Sequence, residues 1–379
     1  MGLPRLLRRA SGRAPYPPTG NLRHSRGSAP MKIAGYVAAL VALVIAAVFP
    51  QLVNSPVVMT MAIFTLIYAI MASGWNILGG YTGYISLGHA AFFGIGAYAL
   101  ALLSQHITVT TGYEPFFLLP VAGLIGAACA VPLGIITLRT RRHVFVVLTI
   151  AMLFIGQLLA INLRGLTNGS TGSGLPQPPW MGSTFNPPFY YTALIVLVVA
   201  VAVSWWIRQS KFGLGLRAIR DDEDRALGLG INAGVSKLVC FVLAAFFIAI
   251  AGGIYSYFVT YIYPQFVFDP LADLSMVLMV FAGGIGTVAG PVLGAVLIEP
   301  AHEYFTFTYG SSGLYLVLYG VLFLIIITLL PQGVIPSVRN LIETQKDKRK
   351  SRAAAVASQP LEPPAPAGSE DLVSRQEAR

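Results

Sequence analysis

The chain has 379 residues; 55% of them are hydrophobic, only 11% are charged, and the formal net charge is +10. Soluble domains carry roughly 25% charged residues, so too few polar side chains remain here to cover a water-exposed surface. The composition excludes a soluble globular protein and predicts an integral membrane protein in a lipid bilayer. The two cysteines, Cys129 and Cys240, lie in separate apolar runs without a CxxC spacing. They indicate neither a metal site nor a disulfide, and no cofactor is expected.

The N-terminal region carries a cluster of positive charge before the first apolar run. Its cationic residues are Arg5, Arg8, Arg9, Arg13, Arg23, Arg26 and Lys32. Such a flank is typical of a segment held on the cytoplasmic side beside anionic lipid, and we expect no nucleic-acid partner. We predict that residues 1–32 form a disordered extension. Met31 also resembles a natural start, so two interpretations of residues 1–30, an extension or a misplaced start, stay open.

Apolar runs of helical length recur between residues 34 and 331 and predict an all-α integral membrane protein with about ten transmembrane helices. The first run is retained as a span and is not a cleaved signal peptide, because it is about 20 residues long. The runs lie approximately at residues 34–53, 57–78, 88–105, 116–138, 143–163, 189–207, 238–260, 272–288, 290–306 and 314–331. The pair at 272–306 is equally compatible with a re-entrant hairpin, because its turn carries no charge.

Cationic residues near the span ends predict the orientation, since they favour the cytoplasm. Four clusters stand out, at the N-terminus and at residues 139–142, 208–237 and 339–352. The predicted span order places all four on one face, with both termini cytoplasmic. The membrane domain would cover residues 33–338, and residues 339–379, rich in Ala, Pro, Ser and Glu, predict a disordered cytoplasmic tail.

The longest polar interruption, residues 208–237, mixes both signs of charge between two spans. Residues 217–229 lack proline and are rich in Arg, Ala and Leu, which predicts one or two short helices. Gly228, Gly230 and Gly234 predict a break or turn after them. A charged helix followed by a glycine turn is typical of a docking surface for a cytosolic partner. The alternative is a solvated loop that only connects two spans.

Residues 79–98 contain six glycines, and residues 282–294 form a second glycine-rich stretch. A helix broken inside lipid survives only where it lines a cavity or is buried in protein. Thr82, Ser86 and His89 supply neutral hydrogen-bonding groups for a solute path, whereas plain helix packing explains Gly94 and Gly96. Two such breaks suggest two inverted five-helix repeats, although they do not fall at equivalent spans.

The predicted spans contain almost no ionisable residue in their interiors. The exceptions are His89 and, near an outer end, Glu299, His302 and Glu303. An ion-coupled carrier usually buries an Asp, Glu, Arg or Lys in its spans, so the near absence of such residues disfavours a carrier. The chain also has no GxxxxGK[ST] motif and no readable set of nucleophile, base and acid, so we expect no enzyme and no nucleotide hydrolysis by this chain.

Three segments resemble one transporter family. GYTGYISLGHAAFFGIGAY (residues 80–98), RAIRDDEDRALGLGIN (217–232) and VFAGGIGTVAGPVLGAVL (280–297) resemble, in this order, blocks of the LivM-type permeases of branched-chain amino acid ABC transporters. The similarity extends over about residues 31–336. Tyr84 stands where the family often has a glutamine.

The resemblance implies a permease subunit of an ATP-binding cassette importer in the bacterial inner membrane, for branched-chain or other hydrophobic amino acids. Its implied partners are a second homologous permease, two cytosolic ATPase subunits and an extracytoplasmic solute-binding protein. The residues implied in ATPase coupling are Arg217, Arg220, Asp221, Asp222, Glu223, Arg225, Gly228, Gly230 and Asn232. Those implied in the translocation path are Thr82, Gly83, Tyr84, Ser86, His89, Gly283, Gly284 and Thr287. A related permease for urea or another small amide is the main alternative, and an ion-coupled secondary carrier is a weaker one.

Overall fold

The computed structural model describes residues 29–53, 55–105, 111–310, 313–329 and 333–337. Helices form nearly all of it, as the sequence predicts. The predicted tail and most of the predicted N-terminal extension lie outside the described residues. Residues 29–32, predicted as part of that extension, already belong to the first helix.

The chain divides into two units: the first ends at Leu52 and the second begins at Val53. The first contains helix α1 (Ala29–Leu52), whose described side chains are largely apolar and exposed. The second contains all other described elements. Its helices are α2 (Pro56–Thr82), α3 (Ala90–Ser104), α4 (Glu114–Thr137), α5 (Arg142–Asn162), α6 (Arg164–Thr167), α7 (Asn186–Gln209), α8 (Lys211–Asp221), α9 (Glu223–Gly228), α10 (Ala233–Val259), α11 (Pro264–Val267), α12 (Pro270–Gly283), α13 (Gly290–Tyr309) and α14 (Leu314–Leu329).

Within the described residues, six helical segments are long and apolar enough to cross a membrane. They are Pro56–Thr82, Glu114–Thr137, Arg142–Asn162, Gly182–Gln209, Ala233–Val259 and Pro264–Gly283. Each of the ten predicted apolar runs overlaps a helix, but α3 has 15 residues, fewer than the roughly 20 that a span needs, and α12 reaches that length only together with α11. The protein is therefore a multi-pass, all-α membrane protein. The count of ten spans and the inverted repeats stay predictions.

Helix α10 is central in the second unit and packs against α2, α3 and α4. Small residues let its backbone approach that of α3. A Cβ atom on Gly96 of α3 would lie 1.9 Å from the carbonyl oxygen of Ala249, and one on Gly252 would lie 2.0 Å from that of Phe93. This contact confirms the packing interpretation of Gly96.

Two long connections meet at one end of the bundle through a short antiparallel pair, β1 (Ser173–Gly174) and β2 (Tyr261–Ile262). The connections are the ones after α5 and after α10, which the distribution of cationic residues predicts on the same, outer face. At another part of the bundle, the start of α5 touches α8, because the Arg142 guanidinium donates to the carbonyl oxygens of Ile219 and Arg220 at 3.0 Å each. Two of the four predicted cationic clusters therefore lie side by side.

Candidate functional site: a polar hairpin joined to two broken helices

Helices α8 and α9 form a hairpin, which we call the coupling hairpin (residues 208–237). Each of its helices, and α10 after it, begins with a side-chain cap. Ser210, Asp222 and Asn232 accept hydrogen bonds from the backbone N–H groups of Gly213, Arg225 and Val235, respectively. Such caps satisfy the free N–H groups of a helix start. The sequence therefore predicts the two short helices correctly, whereas Gly234 lies inside α10 instead of breaking the chain.

The outer side of the coupling hairpin is exposed. Leu227 and Leu229 are 52% and 78% exposed, at the end of α9 and in the turn that follows it. Gly230 in this turn has a φ of +81°, and a Cβ atom there would meet nothing within 4 Å. Six of the residues implied in ATPase coupling lie on this exposed side: Arg217, Asp221, Arg225, Gly228, Gly230 and Asn232.

Of the other three coupling residues, Arg220 and Glu223 point into the protein. Arg220 of α8 donates from Nη1 to the carbonyl oxygen of Gly80, near the end of α2, at 2.7 Å. Helix α2 ends beside it, because Gly83 adopts the left-handed conformation at φ 74° and its N–H bonds to the Gly79 carbonyl oxygen. Arg220 thus joins the coupling hairpin to the first glycine-rich segment. Glu223 also points inward, and Asp222 is the cap of α9.

Glu223 belongs to a polar cluster with Tyr84 and Lys237, which we call the Tyr84 cluster. Lys237 Nζ donates to Glu223 Oε1 at 2.6 Å and to Tyr84 Oη at 3.0 Å, and Tyr84 Oη donates to Glu223 Oε2 at 2.5 Å. Lys237 is only 4% exposed. Its ammonium group and the Arg142 guanidinium lie 4.3 and 5.7 Å from the centre of the Tyr84 ring, within reach of a cation–π attraction.

The cluster holds the Glu223 carboxylate in its charged form. Partial burial alone would raise the pKa of Glu223, but the hydrogen bonds from Lys237 and Tyr84 outweigh it and leave that pKa below its ordinary value. The charged pair is nearly removed from water on the lysine side, where an unpartnered ammonium group would be costly. The Tyr84 cluster therefore fixes α9 to the start of α10 and to the segment after α2.

The second glycine-rich segment reaches the same place. The Asn76 side chain on α2 donates from Nδ2 to the carbonyl oxygen of Thr287 and accepts at Oδ1 from the N–H of Gly286, both at 2.9 Å. Thr287 itself caps α13, because its Oγ1 accepts from the N–H of Gly290 at 3.0 Å. The two breaks suggested by the sequence are thus in contact, although they do not occupy equivalent spans.

Residues 83–89, between α2 and α3, are not helical and are mostly buried, with Ile85 exposed. Several of their backbone groups bond to side chains of α2 and α5. Trp75 Nε1 donates to the Ser86 carbonyl oxygen at 2.8 Å, and Thr149 Oγ1 accepts from the N–H of Leu87 at 3.1 Å. A non-helical segment within a membrane protein requires such partners. This chain's own side chains therefore supply partners for part of the freed backbone.

The residues implied in the translocation path are mostly enclosed in this conformation. Thr82, Ser86 and His89 have no exposed surface, and Tyr84 is 2% exposed. His89 lies between the rings of Phe92 and Phe241, and its ring nitrogens have no hydrogen-bond partner among the described residues. Gly83, after α2, is half-buried beside Arg220. Gly283 ends α12 and is buried, and in the α12–α13 connection Gly284 is buried and Thr287 is half-buried.

One expectation about buried charge is wrong. Asp273 of α12 is 1% exposed, and its Oδ1 accepts from the N–H of Ala90, the first residue of α3, at 3.1 Å. The predicted span 272–288 has this residue at its boundary, where a charged side chain is expected to face water. Helix α3 begins inside the bundle, and its free N–H groups attract a carboxylate there.

Four contributors to the site were missed from the sequence: Asn76, Arg142, Lys237 and Asp273. Arg142 and Lys237 were counted only as cationic flanks that set orientation. The signal in Lys237 was its position four residues inside α10, where a lysine needs a partner. Asn76 carried a similar signal, as an amide in the middle of an apolar run.

Comparison with known proteins places these features in a family. Residues 57–327 match the family described as the branched-chain amino acid transport system permease component. The chain is 29% identical over 340 residues to the high-affinity branched-chain amino acid transport system permease protein LivM of Salmonella typhimurium, covering 82% of this chain and 77% of that protein. The LivM protein of Escherichia coli gives the same figures.

A second kind of permease is also similar. The LivH protein of Salmonella typhimurium, named as a permease of the same high-affinity system, is 26% identical over 287 residues, covering 71% of this chain and 91% of that protein. No solved structure matches the chain significantly. The family match spans more than half of the chain and includes both broken-helix segments and the coupling hairpin, so this protein belongs to the branched-chain amino acid transport system permease family.

Proposed function

We propose that this chain is one of two permease subunits of an ATP-driven importer for branched-chain or similar hydrophobic amino acids. One observation carries the proposal. The coupling hairpin is exposed on its outer side, and on its inner side Arg220 and Glu223 join it to the end of α2 and to Tyr84 in the segment after α2. Asn76 of α2 in turn bonds to the α12–α13 connection. The exposed surface of the coupling hairpin, on which a partner could dock, is thus attached to the non-helical segment between α2 and α3.

The outer side suits a cytosolic ATPase. Its apolar tip, Leu227 and Leu229, follows exposed charges of both signs on α9, Asp224 and Arg225. An apolar core with a polar rim is the usual composition of a docking surface. ATP hydrolysis would take place on two such partner subunits, with both termini of this chain on the same cytoplasmic side.

Arg220 and the Tyr84 cluster would carry the movement inward. Arg220 holds the end of α2 and lies beside Gly83, while the Tyr84 cluster holds the start of α10. A rigid-body shift of the hairpin would therefore move the end of α2 and the start of α10 together, and with them the 83–89 segment. Thr82, Ser86 and His89, now enclosed, would be uncovered by that shift.

The solute is expected to be a zwitterion with an apolar side chain. The proposed path offers neutral groups, which let a zwitterion pass without trapping it. Affinity would reside in an extracytoplasmic binding protein that hands the solute to the permease pair. The similarity to both LivM and LivH supports a pair of unlike, homologous permeases.

Uptake of radiolabelled leucine tests the proposal. The chain is expressed with its partner permease, ATPase and binding-protein subunits in cells that lack their own leucine importer. We expect leucine uptake that excess valine or isoleucine competes away and that ATP depletion abolishes, while an ionophore that only collapses ion gradients leaves it in place. Uptake competed by urea would assign the alternative solute. Uptake that follows the ion gradient and persists without the ATPase would overturn the proposal in favour of a secondary carrier.

A further inference from the structure

A second group of polar side chains lies on α13, away from the coupling hairpin. Glu299, His302 and Glu303 stand at positions i, i+3 and i+4, which share one face of a helix. Their donor atoms all lie within 4.8 Å of one another. Glu299 is nine residues beyond the start of α13, so the group lies about 14 Å along that helix from the contact with Asn76.

Glu299 is buried and lacks a hydrogen-bond partner. Its side chain has no exposed surface, and neither carboxylate oxygen is bonded to any described residue. Oε1 faces the Nδ1 atom of His302 at 3.6 Å, which is longer than a hydrogen bond. A buried carboxylate normally has a charged partner or coordinates a metal, and Glu299 is directed at the one imidazole beside it.

Unsatisfied polar atoms are concentrated at this place. Of the ten buried side-chain atoms without a partner in the described part of the chain, five lie here. They are both oxygens of Glu299, Nδ1 of His302, Oγ1 of Thr306 and Oη of Tyr319. The Tyr319 ring of α14 lies 4.7 Å from the His302 ring. Native proteins leave few such atoms unpaired, so a concentration of them indicates a missing ligand.

We propose that Glu299, His302 and Glu303 bind one divalent transition-metal ion of the Zn²⁺ or Mn²⁺ type. Two carboxylates and one imidazole are donors that these ions accept, and three protein ligands leave a coordination position for water. In a tetrahedral zinc site neighbouring donor atoms are about 3.4 Å apart, close to the distance between Glu299 and His302. His302 and Glu303 are partly exposed, which gives an ion a way in.

The ion would neutralise charge inside an apolar helix. Two carboxylates on one face of a helix, one of them fully buried, are expensive when charged and unpaired, and a divalent cation balances both. Thr306 and Tyr319 would then hold the metal-bound water or orient the ligands. Because the site is remote from the coupling hairpin, its metal binding can be measured without any transport assay.

The test uses the full chain with its partner permease in lipid nanodiscs. The complex is stripped with a chelator, incubated with Zn²⁺ or Mn²⁺ and separated from free metal, and its metal content is measured by mass spectrometry. We expect about one ion per chain. Glu299→Gln and His302→Asn should each weaken binding by at least about 10-fold. His143→Asn, which removes an exposed histidine at the start of α5, is the matched control and should bind as the parent does.

Equal metal content in the parent, Glu299→Gln and His302→Asn complexes would overturn the proposal, and so would a parent that retains no ion. In the second case the group is a set of protonated side chains. If the variants fail to fold, the parent complex is loaded with Co²⁺ instead. A visible absorption spectrum typical of Co²⁺ bound by nitrogen and oxygen ligands would then support the site. Absence of that spectrum also overturns the site, while leucine uptake remains a separate question.

Discussion

Arg220 of α8 donates a hydrogen bond to the Gly80 carbonyl oxygen of α2 at 2.7 Å, across 140 positions of sequence. A carbonyl this close to the end of α2 lacks a helical partner, and a guanidinium group is well suited to take it. The contact ties the coupling hairpin, which we propose faces a cytosolic partner, to the first interruption of the helical bundle.

Removing this contact should separate transport from assembly. Arg220→Met keeps the length of the side chain but loses the guanidinium group, at a cost of about 1.5–3 kcal/mol for a charged hydrogen bond. We expect leucine uptake to fall roughly 10-fold or more, while the ATPase still co-purifies with the permease. The side chain of Arg225 is 86% exposed, so Arg225→Met should instead weaken the co-purification of the ATPase and leave the contact with α2 intact. Equal effects of the two variants on both measurements would contradict this division of roles.

The Tyr84 cluster should contribute to stability through Glu223. Glu223→Gln leaves the nearly buried Lys237 without its counter-charge and should lower the free energy of unfolding by about 1–3 kcal/mol. Asp224→Asn, a change at the exposed neighbour, should alter it by less than about 0.5 kcal/mol. Thermal unfolding of the purified permease measures both. Tyr84→Phe combined with Glu223→Gln should be less destabilising than the sum of the two, since the residues share a network.

Much of the fold could be predicted, because a helix in lipid must satisfy its own backbone and therefore shows itself as a long apolar run. The short helices of the coupling hairpin were also visible from their composition. The inward direction of Arg220 and Glu223 could not be predicted, because the sequence of a charged loop does not show which of its side chains face solvent and which face protein. Only the fold brings Gly80 and Lys237 to them.

The glycine-rich segments show a second limit. Their composition indicated interruptions of helices, and the structure contains both. Which groups would satisfy the freed backbone depended on Trp75, Thr149 and Asp273, which lie on α2, α5 and α12. Thr149 and Asp273 lie 62 and 183 positions from the groups that they bond to. Contacts between elements so far apart cannot be derived from local pattern, and the sequence alone indicates Asp273 only as a residue at the edge of a span.

Asp273 is expected to act as a helix cap and not as a proton carrier. Asp273→Asn keeps an oxygen to accept from the Ala90 N–H, so folding and leucine uptake should remain close to those of the parent. Asp273→Ala removes the acceptor and should destabilise the protein by about 1–3 kcal/mol. Unfolding and uptake are measured on both. A well-folded Asp273→Asn protein without uptake would show that the charge itself is required, as in an ion-coupled carrier.

Ser86 provides the most direct test of the solute path. It has no exposed surface, yet it lies in the non-helical segment that the coupling hairpin would move. In a protein whose two cysteines, Cys129 and Cys240, are replaced by alanine, Ser86→Cys should resist a small water-soluble thiol reagent at rest. During ATP turnover it should react, and leucine should protect it.

The matched control for that test is Ser256→Cys, at an equally buried serine of α10 whose hydroxyl bonds to the Gly253 carbonyl oxygen. Ser256 lies outside the proposed path, so its cysteine should remain unreactive in both states, which excludes general loosening of the bundle. Ser86→Ala and His89→Gln should assemble normally and alter the rate of leucine uptake, because each changes a neutral group past which the zwitterion would move. If both transport at the parent rate and the cysteine at position 86 is never labelled, residues 83–89 serve packing alone. The path must then run elsewhere in the permease pair.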